Sequence, residues 1–370
     1  MPMEVKSDCR LFIGDRPCVW GGRCEGCEHY APRGKNIVVI KLAAAGDVLR
    51  TTAILPPLKR AYPESFVTWV TDPSALPLVE LNPYVDRAVA FGFEAWLSLS
   101  TQSLDLVLCL DKEERACALC SSLSAGEKRG FALSTVGAVA PLNDGARYDY
   151  ELGLSNEMKF HENELTYPEI FCRTAELEYK GEPYMLALPQ SAIEHAEAFL
   201  ARLSPSDPVV GLNVGAGTVF ANKAWTPSGF GALARAVRER LGGTAVVLGG
   251  PDDRDRAESV LRDAGGTAVD GELHDVLDFA AVVGKMDAIV TGDTLAMHLG
   301  VALGVPTVAL FGPSAPQEID LYGAGAKVVT PLDCSPCYRR SCDITPSCMD
   351  AIDVETVYEA LTGALESAEE

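Results

Sequence analysis

Residues 36–52 read NIVVIKLAAAGDVLRTT. The first seven, 36–42, form an apolar run rich in β-branched residues, the pattern of a strand buried on both faces. A turn of small residues, Ala43 to Gly46, follows, and from about Asp47 the spacing predicts a helix as far as residue 62. A strand, a tight small-residue turn and a helix in this order open an α/β sheet.

The alternation continues outward from that stretch. Strand-like runs recur at 67–70, 87–90, 104–108 and 128–131, with helical or irregular links. Between residues 180 and 208 lie Pro183, Pro189, Pro205 and Pro208 around a helix-period segment at 191–203, which reads as a boundary. A second alternating run follows, with strands at 209–213, 244–248, 267–269, 288–291 and 307–310. Its helices are expected at 228–241, 252–264, 273–283 and 294–303, and a last helix at 354–368 is expected to pack back across the first domain. The fold class is therefore α/β, with two doubly wound Rossmann-like domains facing a cleft and cysteine-rich terminal segments. The expected division is 1–34 (cysteine-rich), 35–185 and 205–330 (Rossmann-like), and 331–370 (cysteine-rich segment plus helix). Active sites in such folds lie beyond the carboxyl ends of the strands.

Composition narrows the function. Lysine and arginine number 31 against 52 aspartate and glutamate, a formal net charge of −21. That balance argues against nonspecific nucleic-acid binding, which needs cations to displace counterions from phosphates, and against broad adhesion to an anionic membrane leaflet. No stretch reaches the roughly 20 apolar residues of a spanning helix, and the N-terminus lacks the apolar core of a signal peptide. A cytoplasmic location is expected, with peripheral contact at the inner face of the inner membrane as its variant. The sequence does not fix an oligomeric state.

Three strand-to-helix turns carry chemistry-bearing residues. In the first, Gly46 permits a tight turn and Asp47 sits near a helix N-terminus, where the dipole favours the ionised carboxylate that a proton acceptor needs. A plain N-cap, contributing about 1 kcal/mol, is the competing reading of Asp47. The second turn runs from Asn213 through Gly215, Gly217 and Thr218 to Asn222, Lys223 and Trp225. Its small residues allow close backbone approach, and Lys223 offers a positive charge to a diphosphate or merely to solvent. It lacks the Gly-Lys-Ser/Thr ending of a P-loop and the third glycine of a dinucleotide fingerprint. The dipeptide Thr226-Pro227 marks a helix entry. The third turn is Gly292-Asp293-Thr294, with His298 one helical turn on. Amides and the Thr294 hydroxyl at a helix start suit phosphate oxygens. Asp293 would be repelled by phosphate, so it is expected on a sugar hydroxyl or as a cap. His298 reads equally as a cleft residue or a structural histidine.

Taken together, these turns resemble those of glycosyltransferase family 9, the ADP-heptose:lipopolysaccharide heptosyltransferases, over nearly all of 36–352. The most specific parts are Gly46-Asp47-Val48 with Thr51-Thr52, Asn222-Lys223 to Trp225, and Gly292-Asp293-Thr294 through His298 to Phe311-Gly312-Pro313. The resemblance implies a GT-B fold with the acceptor in the N-terminal half and a nucleotide-sugar donor, ADP-heptose, in the C-terminal half. It implies inversion at the anomeric carbon with no cofactor or metal in catalysis. Asp47 would be the general base and Lys223 the diphosphate clamp. Gly46, Thr51, Asn213, Gly215, Gly217, Asn222, Gly292, Asp293, Thr294 and His298 would bind substrates. The acceptor would be a glycan or glycolipid. The competing classes are a hydrolysing nucleotide-sugar epimerase, which needs no acceptor, and a noncatalytic metal-binding or redox protein on a transferase fold.

Twelve cysteines remain, eight of them in two terminal groups. The head has Cys9, Cys18, Cys24 and Cys27, followed by His29; the tail has Cys334, Cys337, Cys342 and Cys348. Each group contains a C-x2-C pair, a spacing that brings two sulfurs onto one metal. Structural zinc is the first expectation, with iron or an iron–sulfur cluster behind it and free or disulfide-bonded thiols as the plain alternative. The tail is similar to the C-terminal iron finger of autotransporter heptosyltransferases. Cys109, Cys117, Cys120 and Cys172 are expected to be buried thiols.

Overall fold

The structure, a computed structural model, describes residues 4–217 and 220–369. Thr218 of the glycine-rich turn and the extreme ends of the two cysteine-bearing segments lie outside the described residues.

The N-terminal sheet is built from β1 (Asn36–Ile40), β2 (Phe66–Thr71), β3 (Arg87–Ala90), β4 (Leu104–Cys109), β5 (Ala125–Leu133) and β6 (Val139–Pro141). Their order is β3-β2-β1-β4-β5-β6. The first five pair in parallel, with Ile37 opposite both Val67 and Leu106, and Ile37 to Ile40 are fully buried. Full burial of such side chains contributes roughly 1.5–3 kcal/mol each, which explains why this run shows no polar alternation. β6 pairs antiparallel with β5, Phe131 opposite Pro141, an edge strand the sequence pattern did not reveal. At the switch point between β1 and β4, the Lys41 ammonium and the Asp111 carboxylate form a buried ion pair at 3.3 Å. Asp111 also accepts from the Leu42 amide at 3.0 Å, so this pair fixes the start of the turn after β1.

The C-terminal sheet comprises β7 (Val209–Asn213), β8 (Thr244–Leu248), β9 (Ala268–Asp270), β10 (Ala288–Gly292), β11 (Thr307–Phe311) and β12 (Gly325–Val329), ordered β12-β11-β10-β7-β8-β9 and wholly parallel. Its switch point lies between β7 and β10, so the loops leaving those two strands meet there. Val210, Val290 and Val308 pack with Phe230 and Leu233 in its core. Trp225 is buried, and its indole N–H donates to the Ile352 carbonyl at 3.0 Å. The Thr226 hydroxyl accepts from the Gly229 amide at 3.0 Å and caps the helix Pro227–Ala236, as the Thr-Pro pair predicts.

Two expectations about elements are corrected. The helix foreseen over 47–62 is three pieces: an α-helix Ala45–Thr51, a 3₁₀ turn Thr52–Ile54 and an α-helix Leu55–Ala61. Pro56 and Pro57 lack amide hydrogens and fit only the first turn of a new helix. The last helix, Val354–Glu369, buries Val357, Tyr358, Leu361 and Ala364 against the C-terminal sheet's core rather than against the first domain.

The chain divides into two compact units that are not the continuous segments of the sequence reading. One comprises Met1–Ala43, Ala53–Tyr150 and Ile170–Glu182; the other comprises Ala44–Thr52, Glu151–Glu169 and Pro183–Glu370. The segment with Gly46 and Asp47 therefore packs in the same unit as the C-terminal sheet, and its helix lies against the helix Leu295–Leu303.

Candidate functional site

Asn213 closes β7, and its side-chain amide donates to the hydroxyls of Thr291 (3.0 Å) and Thr294 (3.1 Å). A buried amide must find such partners, and here they lock the loop after β7 to the loop after β10. Beyond Asn213, Gly215 leaves room for Asp253, whose carboxylate would stand 2.5 Å from a Cβ built on that glycine. Gly217 adopts φ +64°, a left-handed conformation that a residue with a Cβ resists. The loop then delivers Lys223 from a 3₁₀ turn, Ala221–Lys223.

The Lys223 ammonium lies 2.7 Å from an Asp293 carboxylate oxygen, and both side chains are largely buried. Burial pushes the Asp293 carboxyl upward, but Lys223 and then His298 outweigh it and hold the group below the usual aspartate range. Next to Asp293, Thr294 is the extended N-cap of the helix Leu295–Leu303, and its side chain makes no capping hydrogen bond. Thr294, Leu295 and Ala296 all face the cavity described below, so the first-turn amides point where an anion is favoured.

Asp47 is the third residue of the helix Ala45–Thr51. One carboxylate oxygen accepts from the Ala44 amide at 3.3 Å, and the other lies 2.7 Å from the Arg50 guanidinium. Arg50 is buried, with its guanidinium 3.2 Å from the centroid of the Tyr167 ring. Burial disfavours its charge, but Asp47 together with Tyr167, Tyr184 and Glu318 outweighs it, so Arg50 stays cationic. His298 is buried as well; burial first and Arg50 second push its pKa down to about 4, which leaves the ring neutral at pH 7. Among the described residues its Nδ1 has no hydrogen-bond partner.

One cavity of about 710 Å³ gathers most of these groups. Of the sequence-derived residues, Gly46, Asp47, Asn213, Gly215, Gly217, Lys223, Asp293, Thr294 and His298 line it. Three others do not, for structural reasons. Thr51 is buried and donates its hydroxyl to the Asp47 carbonyl at 2.6 Å. Asn222 donates to the Arg339 carbonyl at 2.7 Å and so holds the tail. Gly292 makes room for the Lys223 carbonyl, which would lie 2.6 Å from an added Cβ. Sequence reasoning missed Arg50, Tyr167, Phe220, Val276, Phe279 and Tyr338, which also line the cavity. For Arg50 the signal was present: it lies three residues after Asp47, on the same helix face.

The cysteine groups were the expected metal ligands. Among the described residues, no group of three or more histidine, cysteine, aspartate or glutamate side chains is gathered to hold a metal ion. Among the described residues none of the twelve cysteines forms a disulfide. In the tail, Cys334 and Cys342 are exposed and Cys337 half-buried, whereas Cys348 is buried, its thiol pushed up to about 11 by burial and then by the neighbouring Cys337. Backbone hydrogen bonds tie the tail to the loop after β11: the Cys337 and Tyr338 amides both donate to the Pro313 carbonyl, at 3.0 and 2.9 Å. Cys109, Cys117, Cys120 and Cys172 are buried. Among the described residues no helix is long and apolar enough to cross a membrane.

Comparison with known proteins bears on the family and the fold. Glycosyltransferase family 9 (heptosyltransferase) matches residues 93–347. Lipopolysaccharide heptosyltransferase 1 of Pseudomonas aeruginosa is 25% identical over 331 residues, covering 84% of this chain and 88% of the relative. Among solved structures, a family 9 glycosyl transferase from Veillonella parvula superposes with a TM-score of 0.71 at 21% identity, covering 90% of this chain and 97% of that one. The ADP-heptose lps heptosyltransferase II of E. coli gives a TM-score of 0.66 at 20% identity, covering 90% and 100%. The shared fold is GT-B.

Proposed function

The chain belongs to glycosyltransferase family 9, the heptosyltransferases, and from that premise we propose that it transfers heptose from ADP-heptose to a hydroxyl of a lipopolysaccharide-core or related glycan, with inversion and without a catalytic metal. The observation that carries this reading is the meeting, on one cavity, of the Asp47 carboxylate, the Lys223–Asp293 pair and the helix start at Thr294. The names of the Pseudomonas aeruginosa and E. coli relatives support the donor and the acceptor class.

In this reading Asp47 takes the proton of the acceptor hydroxyl as that oxygen bonds to the sugar C1. The C1–O bond to the diphosphate breaks on the opposite face, and ADP leaves with the electron pair. Arg50 is a positioning residue: with Arg50 on one Asp47 oxygen and the Ala44 amide on the other, the carboxylate is held in one orientation toward the cavity. Negative charge grows on the departing diphosphate, where Lys223 and the amides beyond Thr294 stabilise it. Asp293 holds Lys223 in place and accepts from a sugar hydroxyl. Val276 and Phe279 supply an apolar wall for the adenine. Neutral His298 adds no charge beside Asp47.

The test is transfer with purified protein, ADP-heptose and a heptose-deficient lipopolysaccharide core, reading ADP release and the anomeric configuration of the product. The proposal expects ADP release that requires the acceptor, an inverted linkage and no loss of rate in chelator. Free heptose or an epimerised sugar, formed equally well without acceptor, would favour the hydrolysing epimerase instead.

A further inference from the structure

Residues 4–35 precede the first strand and form no helix or strand; their pairing among the described residues is an isolated bridge, Cys9 to Pro32. Ile13, Val19 and Trp20 are each more than half exposed, so apolar burial does little to order the segment. Fixing a backbone costs roughly 1–2 kcal/mol per residue, and segments of this size without a core are ordinarily held by cross-links or metals. Yet all four head thiols are free, and Cys9, Cys18, Cys24, Cys27 and His29 line one cavity of about 270 Å³.

The local backbone is organised around the same cysteines. The carbonyls of Cys9, Cys18 and Cys24 each accept from the amide three residues on, that of Phe12 (3.0 Å), Gly21 (2.8 Å) and Cys27 (3.3 Å). Gly21 and Gly26 take left-handed conformations, φ +62° and +68°, that these turns require. Cys24 and Cys27, a C-x2-C pair joined by one such turn, both line the one cavity. The Trp20 and His29 rings stack at 3.9 Å beside them.

We propose that this segment is a tetrathiolate centre, built by Cys9, Cys18, Cys24 and Cys27, for a thiophilic metal: zinc, or iron alone or with sulfide. In the structure the four cysteines line the cavity, but among the described residues they are not gathered on one metal position. A segment without helix or ladder can contract around a metal by side-chain rotation, each thiol giving up its proton, so that binding and ordering are one event. The centre lies in the unit that does not contain the Asp47 cavity, and the inference does not depend on the transferase reading.

The experiment is metal analysis and acid-labile sulfide on full-length protein purified under reducing, oxygen-free conditions, with Cys24→Ser/Cys27→Ser and Cys334→Ser/Cys337→Ser compared. The head variant is expected to lose one centre per chain, and the tail variant to keep it. Zinc without visible absorbance identifies the ion, whereas iron with matching sulfide identifies a cluster. Should the head variant not fold, X-ray absorption on the tail variant decides, with a shell of about four sulfurs at ~2.3 Å supporting the centre. Equal metal content in wild type and head variant, a shell dominated by nitrogen or oxygen, or recovery of the four thiols as two disulfides would overturn it.

Discussion

Gly46 lies directly against the imidazole of His298: a Cβ at position 46 would stand 2.6 Å from Cδ2 and 3.3 Å from Nε2 of that ring. The glycine is thus required by a close approach rather than by an unusual φ, and the contact sets how near the Asp47 helix comes to the helix Leu295–Leu303. Gly46→Ala should cost about 1–3 kcal/mol in urea unfolding and slow transfer, because overpacking must be relieved by moving one helix or the ring. His298→Ala in the same chain should recover much of that stability. Additive losses in the double variant would show that the two residues are not coupled.

The depressed His298 pKa makes stability depend on pH. The unfolded histidine titrates near 6.5 and the folded one at about 4, so the unfolded state binds the extra proton between those values. The contribution is fully present above pH 6.5 and is lost as pH falls toward 4, up to about 3 kcal/mol for this group. His298→Gln should flatten that interval of the stability curve relative to wild type. Parallel curves for the two proteins from pH 7 to 4 would remove the argument.

Lys223 and Asp293 form a pair that is hazardous to break from one side. Lys223→Met leaves a buried carboxylate without its cation, an effect of about 3–5 kcal/mol, while Lys223→Met/Asp293→Asn should restore most of the stability but not donor affinity. Calorimetric titration with ADP checks the second half: affinity should fall at least about tenfold in both variants. Wild-type ADP affinity in the double variant would exclude Lys223 from the diphosphate.

Arg50→Met should lower kcat roughly 10- to 100-fold with little change in donor KM, since Arg50 is paired with Asp47 and stacked on Tyr167. A matching rise in donor KM at constant kcat would mean that Arg50 binds the donor instead.

Strand positions were legible because burial on both faces leaves an unmistakable apolar run, as at Ile37 to Ile40 or Val209 to Leu212. Edge strands carry a weaker signature, and β6 and β12 were not read. Motif resemblance identified the loops but not the direction each side chain takes. Thr51 and Asn222 belong to the same motifs as Asp47 and Lys223, yet they support the backbone while their neighbours face the cavity. Tyr338 reaches the cavity from between two cysteines, a position no periodicity marks. The packing of Ala44–Thr52 with the C-terminal unit is long-range, and linear order is silent about it.

The account rests most heavily on Asp47 as the base, and the measurement that tests it is Asp47→Asn assayed for donor binding and for transfer on the same preparation. Asparagine keeps the size of the side chain and can still meet the Ala44 amide, but it cannot take the acceptor's proton. The account predicts ADP-heptose affinity within about twofold of wild type and a kcat reduced by about 10²–10⁴. Transfer at the wild-type rate in the variant would contradict the central claim.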